Sequence, residues 1–289
     1  MAAIVVVHGV GRQYLSAGDN HEVLSQAVLT GLETAGVTWL RPDDIAAPHY
    51  GHWFLPRDAE PAKGAEAGLT HGDLDPWEAE VLRLYWAEAA RLDPDRVPPP
   101  DAPGDTKAPV HPYLQFLGYA LNRAPFMGRG GMGFLRGDLR QARLYLRERA
   151  VHRCVQQEIE GAIGDDTRVL VGHSLGSVIA YEALCAHPEW PVRTLVTIGS
   201  PLGVPTFFQQ LVPKPKDGRG AWPGSVTHWS NLCDKHDFVA LRKRLGDLFD
   251  DATRSIDDVS IDNGWKVHAI ERHLANRHTA VAIAAGLTR

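Results

Sequence analysis

The residues with the clearest chemical meaning lie in the segment Gly172-His173-Ser174-Leu175-Gly176. This G-x-S-x-G pattern follows an aliphatic run, Val169 to Val171, and precedes a run that suits a helix, Val178 to Ala186. Such a serine between a strand and a helix is typical of a nucleophile elbow, a sharp turn that holds the hydroxyl clear of the sheet. Glycine lacks the Cβ atom that would clash where the strand and the helix approach each other. The spacing therefore predicts that Ser174 is a nucleophile, the alternative being a turn without chemistry.

A second glycine-containing turn follows the first predicted strand. Ile4-Val5-Val6-Val7 has the composition of a buried strand and leads directly into His8-Gly9-Val10-Gly11. The tetrahedral intermediate of acyl transfer carries a negatively charged oxygen, which needs N–H donors fixed in advance. We expect the backbone N–H groups of Leu175 and Val10 to form this oxyanion hole, with the two glycines letting the turn point inward. His8 and His173 are expected to shape their turns without titrating in catalysis.

Three segments together resemble the α/β-hydrolase family, and within it the lipase and serine-esterase branches. They are residues 5–11, residues 171–177 and Thr-Ile-Gly-Ser-Pro-Leu-Gly at 197–203. The resemblance covers roughly residues 1–50 and 165–289. It implies that a catalytic acid and then a catalytic histidine follow the serine along the chain.

The resemblance places the acid after a late strand, here predicted at 226–232. Asp237 fits this position better than Asp234, because family acids are often followed by a small apolar run such as Phe-Val-Ala. The alternative role for Asp237 is to cap a helix predicted at 239–249. We expect the aspartate-rich segment 250–258 to be a solvated loop.

Three histidines could supply the base: His268, His273 and His278. In the family the catalytic histidine lies just before the last helix, predicted here at 274–287. His273 is preferred because Glu-Arg-His at this place resembles the lipase pattern of a histidine that opens the C-terminal segment. His268 is the second choice and His278 the third, and a surface or capping role is the alternative for each.

Alternating strand and helix patterns predict an α/β-hydrolase fold, a mostly parallel sheet with helices on both faces. The predicted strands are 3–7, 44–48, 168–172, 192–199 and 226–232, and the predicted helices are 21–35, 76–92, 112–122, 138–162, 175–187, 239–249 and 274–287. Ligands bind such sheets at the carboxyl ends of the strands, where Val10, Ser174 and Asp237 would lie.

Residues 51–137 are long for a crossover between two strands. They contain a proline-rich stretch at 93–103, an apolar stretch at 112–121 and a glycine-rich stretch at 127–134. They either pack on the core as a scaffold or form a helical cap or lid over Ser174. An apolar lid would favour substrates with acyl chains or other hydrophobic groups.

Composition fits one globular domain over residues 1–289, with 44% hydrophobic residues. A net charge of −5 gives no reason to expect nucleic-acid binding. The three cysteines, Cys154, Cys185 and Cys233, lie in unrelated elements, which argues against a disulfide framework. The sequence contains no metal-ligand spacing and no G-x-G-x-x-G fingerprint, so we expect no metal and no cofactor.

The first strand begins almost at once, without a basic leader, and no apolar run approaches the ~20 residues of a membrane span. We therefore expect a cytoplasmic protein without a transmembrane segment. Peripheral contact with a membrane is compatible with the sequence, and the oligomeric state is open.

Together these features predict a serine hydrolase that cleaves a lipid-like or acyl ester through an acyl-enzyme, with the catalytic triad Ser174, Asp237 and His273. A peptidase, an amidase or a thioesterase with the same triad is an alternative, because fold and triad do not set the leaving group. A catalytically silent binding module with the same fold is the alternative from another class.

Overall fold

The computed structural model describes residues 2–55, 75–95, 97, 99, 131–264 and 266–287. Within them, six strands form one parallel sheet in the order β2-β1-β3-β4-β5-β6, which confirms the predicted α/β class. The strands are β1 (Ile4–Val7), β2 (Ile45–Ala46), β3 (Val169–His173), β4 (Thr194–Ile198), β5 (His228–Asp234) and β6 (Ile256–Ile261).

Nine α-helices are described around this sheet. They are α1 (Ala17–Thr34), α2 (Pro76–Leu92), α3 (Gly131–Arg147), α4 (Arg149–Glu160), α5 (Leu175–Ala186), α6 (Pro205–Phe208), α7 (Gly246–Phe249), α8 (Ile270–Ala275) and α9 (Arg277–Leu287). In the described part of the chain, none of the helices has the length and apolar character needed to cross a bilayer.

Side chains alternate between the two faces of the sheet along each strand. Both faces are buried because helices pack on each of them. On β1, Val5 and Val7 join the core that α2, α3, α4 and α5 complete, whereas Ile4 and Val6 join the core that α1, α8 and α9 complete. All four valine and isoleucine side chains are fully buried. The near-continuous aliphatic runs of the strands are thus explained by helices on both faces.

The prediction of a solvated loop at 250–258 is wrong over 256–258, where the chain enters the edge strand β6 (Ile256–Ile261). Its two end residues, Ile256 and Ile261, are buried. Asp258 accepts hydrogen bonds from the backbone N–H groups of Leu245 and Gly246, at 2.9 and 3.0 Å. Its charge is therefore used to hold the preceding loop, a role that hydrophobic periodicity does not reveal.

Helix boundaries also differ from the predictions. The helix predicted at 239–249 is limited to its last turn, α7, and the helix predicted at 138–162 is divided at Glu148 into α3 and α4. The C-terminal helical segment begins at Ile270 instead of residue 274 and is interrupted at Asn276. The helix predicted at 112–122 lies outside the described residues.

A buried carboxylate ties α5, the helix that follows Ser174, to two neighbouring helices. Glu182 of α5 is 3% exposed, and its Oε2 accepts hydrogen bonds from the Tyr145 hydroxyl of α3 at 2.5 Å and from His152 Nε2 of α4 at 2.9 Å. Its Oε1 accepts from the backbone N–H of Val212 at 2.8 Å. A buried carboxylate is tolerated when its oxygens are paired in this way, so the network fixes α5 against the helices beside it.

On the opposite face of the sheet, α1 packs against the backbone of α8. A Cβ atom at Gly31 of α1 would overlap the carbonyl oxygen of Leu274. Only glycine allows α1 to approach the backbone of α8 this closely.

We therefore expect Gly31→Ala to lower the free energy of unfolding by about 1–3 kcal/mol through overpacking. Gly137→Ala on α3 is the matched control, because its added Cβ meets no atom of the described residues within 4 Å. It should raise the free energy of unfolding by about 0.5–1 kcal/mol, the gain of alanine over glycine in a helix. Urea unfolding measures both values, and equal effects of the two substitutions would contradict the packing described for Gly31.

Candidate active site

The turn between β3 and α5 has the geometry of an elbow. Ser174 has φ 50° and ψ −128°, and such a positive φ is rare for a residue with a side chain. A Cβ atom at Gly172 would lie 2.5 Å from the Cα atom of Ser177, and one at Gly176 would overlap the carbonyl oxygens of Val7 and His8. Both glycines of the motif are thus required by close backbone contacts.

Buried hydrogen bonds stabilise this strained turn. Ser177 Oγ donates to the carbonyl of Ser174 at 2.6 Å and pairs with Ser200 Oγ at 2.6 Å. The backbone N–H of Ser174 donates to the carbonyl of Ile198 at 3.1 Å, which links the elbow to the end of β4. Residues in sparsely populated backbone conformations persist when their surroundings fix them, and they cluster at active sites.

The turn after β1 lies directly against the elbow. A Cβ atom at Gly9 would be 2.8 Å from Ser174 Cβ, and Gly11 has φ 86°. Among the described residues, no acceptor takes a hydrogen bond from the backbone N–H of Val10 or of Leu175. The structure thus brings together the two turns whose N–H groups were predicted to form an oxyanion hole.

His8 fixes the shape of this turn. Its ring stacks on Tyr50, with 4.1 Å between the ring centroids, and the Tyr50 hydroxyl donates to the His8 carbonyl. His8 Nδ1 lies 2.6 Å from the carbonyl oxygen of Gly9. Burial lowers the pKa of His8 to about 3, so its imidazole is neutral at neutral pH.

An aspartate–histidine pair lies at the same edge of the sheet. Asp237, three residues after β5, is fully buried, and its Oδ2 accepts a hydrogen bond from His268 Nδ1 at 2.7 Å. Its Oδ1 accepts from the backbone N–H of Val239 at 3.0 Å. Asp237 therefore holds both an imidazole and a local turn, whereas the helix that it was alternatively expected to cap does not begin in the described residues 239–245.

Gly199 lies directly against this pair, and the sequence motifs did not predict a function for it. A Cβ atom there would lie 3.0 Å from Asp237 Oδ2 and 3.0 Å from His268 Nδ1, and its φ is 54°. The residue belongs to the segment Thr-Ile-Gly-Ser-Pro-Leu-Gly, so its position at a strand end was the available signal.

The two partners shift each other's pKa values. Burial alone would raise the pKa of Asp237, but the charge and hydrogen bond of His268, together with His273 and Lys243, outweigh burial and lower it. Burial alone would lower the pKa of His268, but the charge and hydrogen bond of Asp237 outweigh burial and raise it. The pair therefore stabilises an imidazolium at His268.

The structure does not place His273, the preferred base of the sequence analysis, beside Asp237. His273 is fully buried within α8, and its Nε2 lies 3.1 Å from the carbonyl oxygen of Val267. The C-terminal helical segment begins before His273, so the loop that precedes it carries His268 instead. His278 lies on the exposed start of α9.

Asp234, the second choice for the acid, is engaged elsewhere. Its Oδ1 accepts from the backbone N–H of His236 at 2.8 Å, and its Oδ2 accepts from the backbone N–H of Asn263 at 2.5 Å. It fixes the turn after β5 and the loop after β6, and Asp237 is the aspartate that holds the imidazole of His268.

A further carboxyl group near the pair was not found by sequence reasoning. Burial raises the pKa of Asp138 on α3 to about 7, and the charge of His268 acts against this rise. One turn further along α3, Gln141 Nε2 donates to Gln13 Oε1 at 3.2 Å, in the segment that follows the Val10 turn. The part of α3 around Asp138 thus lies near the candidate site, in a region for which the sequence offered no motif.

The predicted cap is described only in part. Residues 56–74, 96, 98 and 100–130 lie outside the described residues, including the apolar stretch 112–121. In the described part, α2 buries Trp77, Val81 and Tyr85 in the core. The aromatic stripe of this helix is therefore packing, and the cap over Ser174 stays a prediction.

Comparisons with known proteins add no assignment. No family model matches the sequence, and no curated protein and no solved structure matches it. Among the described residues there is also no group of three histidine, cysteine or acidic side chains that could hold a metal ion.

The Asp237–His268 pair gives a direct spectroscopic prediction. The pKa of the His268 imidazole should lie above its ordinary value of 6.5 in the native protein. Asp237→Asn removes the negative charge beside His268, whereas burial continues to lower the pKa of the imidazole. The pKa of His268 should therefore fall in this variant. Histidine ring NMR titration measures both values, with Ser174→Ala as the control that keeps the carboxylate. An unchanged pKa in Asp237→Asn would show that the carboxylate does not act on His268.

Proposed function

We propose that this chain is a serine hydrolase of the α/β-hydrolase fold that cleaves a carboxylic ester through an acyl-enzyme. Ser174 is the nucleophile, His268 the base and Asp237 the residue that orients the base. One observation carries the proposal: the strained turn at Ser174 and the hydrogen-bonded Asp237–His268 pair lie at the same carboxyl edge of a parallel sheet. Ligand sites of such sheets lie at this edge.

The order along the chain and the position on the sheet support this assignment. Ser174 follows β3, Asp237 follows β5, and His268 lies in the loop before α8. This order of serine, acid and histidine is that of the α/β-hydrolase triad. His268 is the second choice of the sequence analysis, and it replaces His273 in the triad because of its contact with Asp237.

The contact with Asp237 gives the two ring nitrogens of His268 different roles. Asp237 is a carboxylate that can only accept, so His268 Nδ1 carries a proton and Nε2 is free to act as the base. Nε2 takes the proton of the Ser174 hydroxyl as its oxygen attacks the ester carbonyl, and then gives this proton to the leaving alcohol. Water repeats the sequence and releases the acid from the acyl-enzyme.

Charge that develops on the carbonyl oxygen needs donors beside Ser174. The backbone N–H groups of Leu175 and Val10, which have no acceptor in the described part of the chain, meet this need, since preorganised donors cost no reorganisation during the reaction. The donors belong to turns fixed by Gly176 and by the His8–Tyr50 stack. We assign them to the oxyanion hole.

The substrate that we propose is a lipid-like or acyl ester. The chain beyond the Val10 turn carries the apolar side chains Tyr14 and Leu15, which are 68% and 39% exposed. Exposed apolar side chains in the segment that follows the carboxyl end of β1 suit a hydrophobic substrate, or one presented at a membrane surface. Comparison of kcat/KM for esters of graded chain length and for matched amides and thioesters identifies the preferred acyl chain and the class of leaving group.

Ser174→Ala should abolish ester hydrolysis, with a loss of at least ~10³-fold in kcat, because nothing replaces the nucleophile. A fluorophosphonate should label the native protein with one equivalent on Ser174 and leave Ser174→Ala unlabelled. Ser255→Ala, at an exposed position far along the chain, is the matched control and should behave like the native protein. Ester turnover by purified Ser174→Ala, or labelling of another serine, would refute the assignment.

His268→Ala should lose at least ~10³-fold in kcat as well, whereas His278→Ala should keep full activity. The base must be neutral, so kcat/KM should fall as the pH drops through the pKa of His268 and level off above it. Since Asp237 raises that pKa, the fall should begin above pH 6.5. A pH profile that is flat from pH 5 to 9, or full activity of His268→Ala, would remove His268 from the mechanism.

A further inference from the structure

Two buried imidazoles hold two consecutive carbonyl groups of the loop that carries His268. His273 Nε2 lies 3.1 Å from the carbonyl oxygen of Val267, and His173 Nε2 lies 2.9 Å from the carbonyl oxygen of His268 itself. These contacts involve the backbone of His268, whereas its side chain is held by Asp237. The base is therefore fixed from three directions.

The chemistry of these contacts determines the tautomer of both rings. A carbonyl oxygen can only accept a hydrogen bond, so each Nε2 carries a proton. A neutral ring has one N–H, and Nδ1 is then an unprotonated acceptor. Nδ1 of His173 and Nδ1 of His273 are buried and have no hydrogen-bond partner among the described residues, which agrees with this assignment.

Both rings are neutral at neutral pH. Burial lowers the pKa of His173 well below its ordinary value, with His268, His273 and Arg12 acting in the same direction and the bond to the His268 carbonyl acting against it. Burial lowers the pKa of His273 to about 4, although the charge of Asp237 opposes this change. Neutrality matters here, because the ring centroids of His173 and His268 are 4.8 Å apart. A second charge at that distance would oppose proton uptake by the base.

His173 also connects the base to the nucleophile. It is the last residue of β3 and directly precedes Ser174, so its bond to the His268 carbonyl links the two reacting side chains through one short piece of backbone. The His268 loop lies between β6 and α8, outside any regular element. The carbonyl oxygens of Lys266 and Ala269 accept hydrogen bonds from backbone N–H groups. Those of Val267 and His268 accept from side chains, and Val267 accepts from Asn263 Nδ2 at 3.5 Å as well as from His273.

We propose that His173 and His273 are positioning residues, which as neutral Nε2–H tautomers hold the backbone at residues 267–268 so that His268 faces Ser174. The proposal rests on the proposed function, because it assumes that His268 is the base. It assigns catalytic importance to His273 without placing that residue in the triad.

Substitution by glutamine and by leucine separates the hydrogen bond from the volume of the ring. Glutamine carries its amide N–H groups at about the place of the imidazole Nε2, whereas leucine fills space without a donor. His173→Leu and His273→Leu should lower kcat by ~10–100-fold with KM little changed, because misplacement by about 1 Å has effects of this size. The two glutamine variants should recover most of that loss, and His278→Leu at an exposed position should change nothing. Equal activity of the leucine and glutamine variants would overturn the proposal.

NMR of the histidine rings tests the same proposal without any assay of activity. Two-bond ¹H–¹⁵N spectra of the native protein should show His173 and His273 as Nε2–H tautomers at pH 7. An imidazolium or an Nδ1–H tautomer at either ring would refute the proposal, even if the leucine variants failed to fold.

The two sets of results distinguish the failure of each proposal. If Ser174→Ala or His268→Ala stays active, the proposed function fails, while the tautomers still report whether the two rings hold the loop. If both of these variants are inactive and the leucine variants at 173 and 273 are fully active, the positioning role alone fails.

Discussion

The buried hydrogen bond between Asp237 and His268 is the interaction on which the site depends. An ionised carboxylate without solvent contact is costly unless it is paired, and here the imidazole and a backbone N–H pair it. The bond joins the turn after β5 to the loop before α8, two segments that share no regular secondary structure. Without this bond, burial would lower the pKa of His268. Asp237 would lose the partner of its Oδ2 and keep only the backbone N–H at Oδ1.

Glycines and buried histidines create the space and the contacts that this bond requires. Gly199 lets the end of β4 pass beside the pair, and Gly31 lets α1 close on the backbone of α8. His173 and His273 donate to the carbonyl groups of His268 and Val267, respectively. The site is thus positioned by close backbone packing and by neutral hydrogen-bond donors, with Asp237 as the carboxylate that is bonded to His268.

Sequence patterns predicted the parallel sheet, the elbow at Ser174 and the neighbouring Val10 turn, because these features depend on local spacing around strand ends. They did not identify His268 in preference to His273, since this choice depends on where the last helical segment begins. That boundary is set by packing of Ile270 and Leu274 in the core beside α1. Asp258 was likewise missed, because its role is a long-range contact with the 245–246 backbone.

We propose that ester cleavage proceeds through a covalent acyl-enzyme on Ser174. Acid-quenching the native protein within the first turnover of an ester, followed by mass spectrometry of its peptides, shows whether this intermediate forms. We predict that the peptide containing Ser174 gains the mass of the acyl group and loses it again as turnover proceeds. Ester hydrolysis without any acylated Ser174, or with the acyl group on another residue, would contradict the role of Ser174 as the nucleophile.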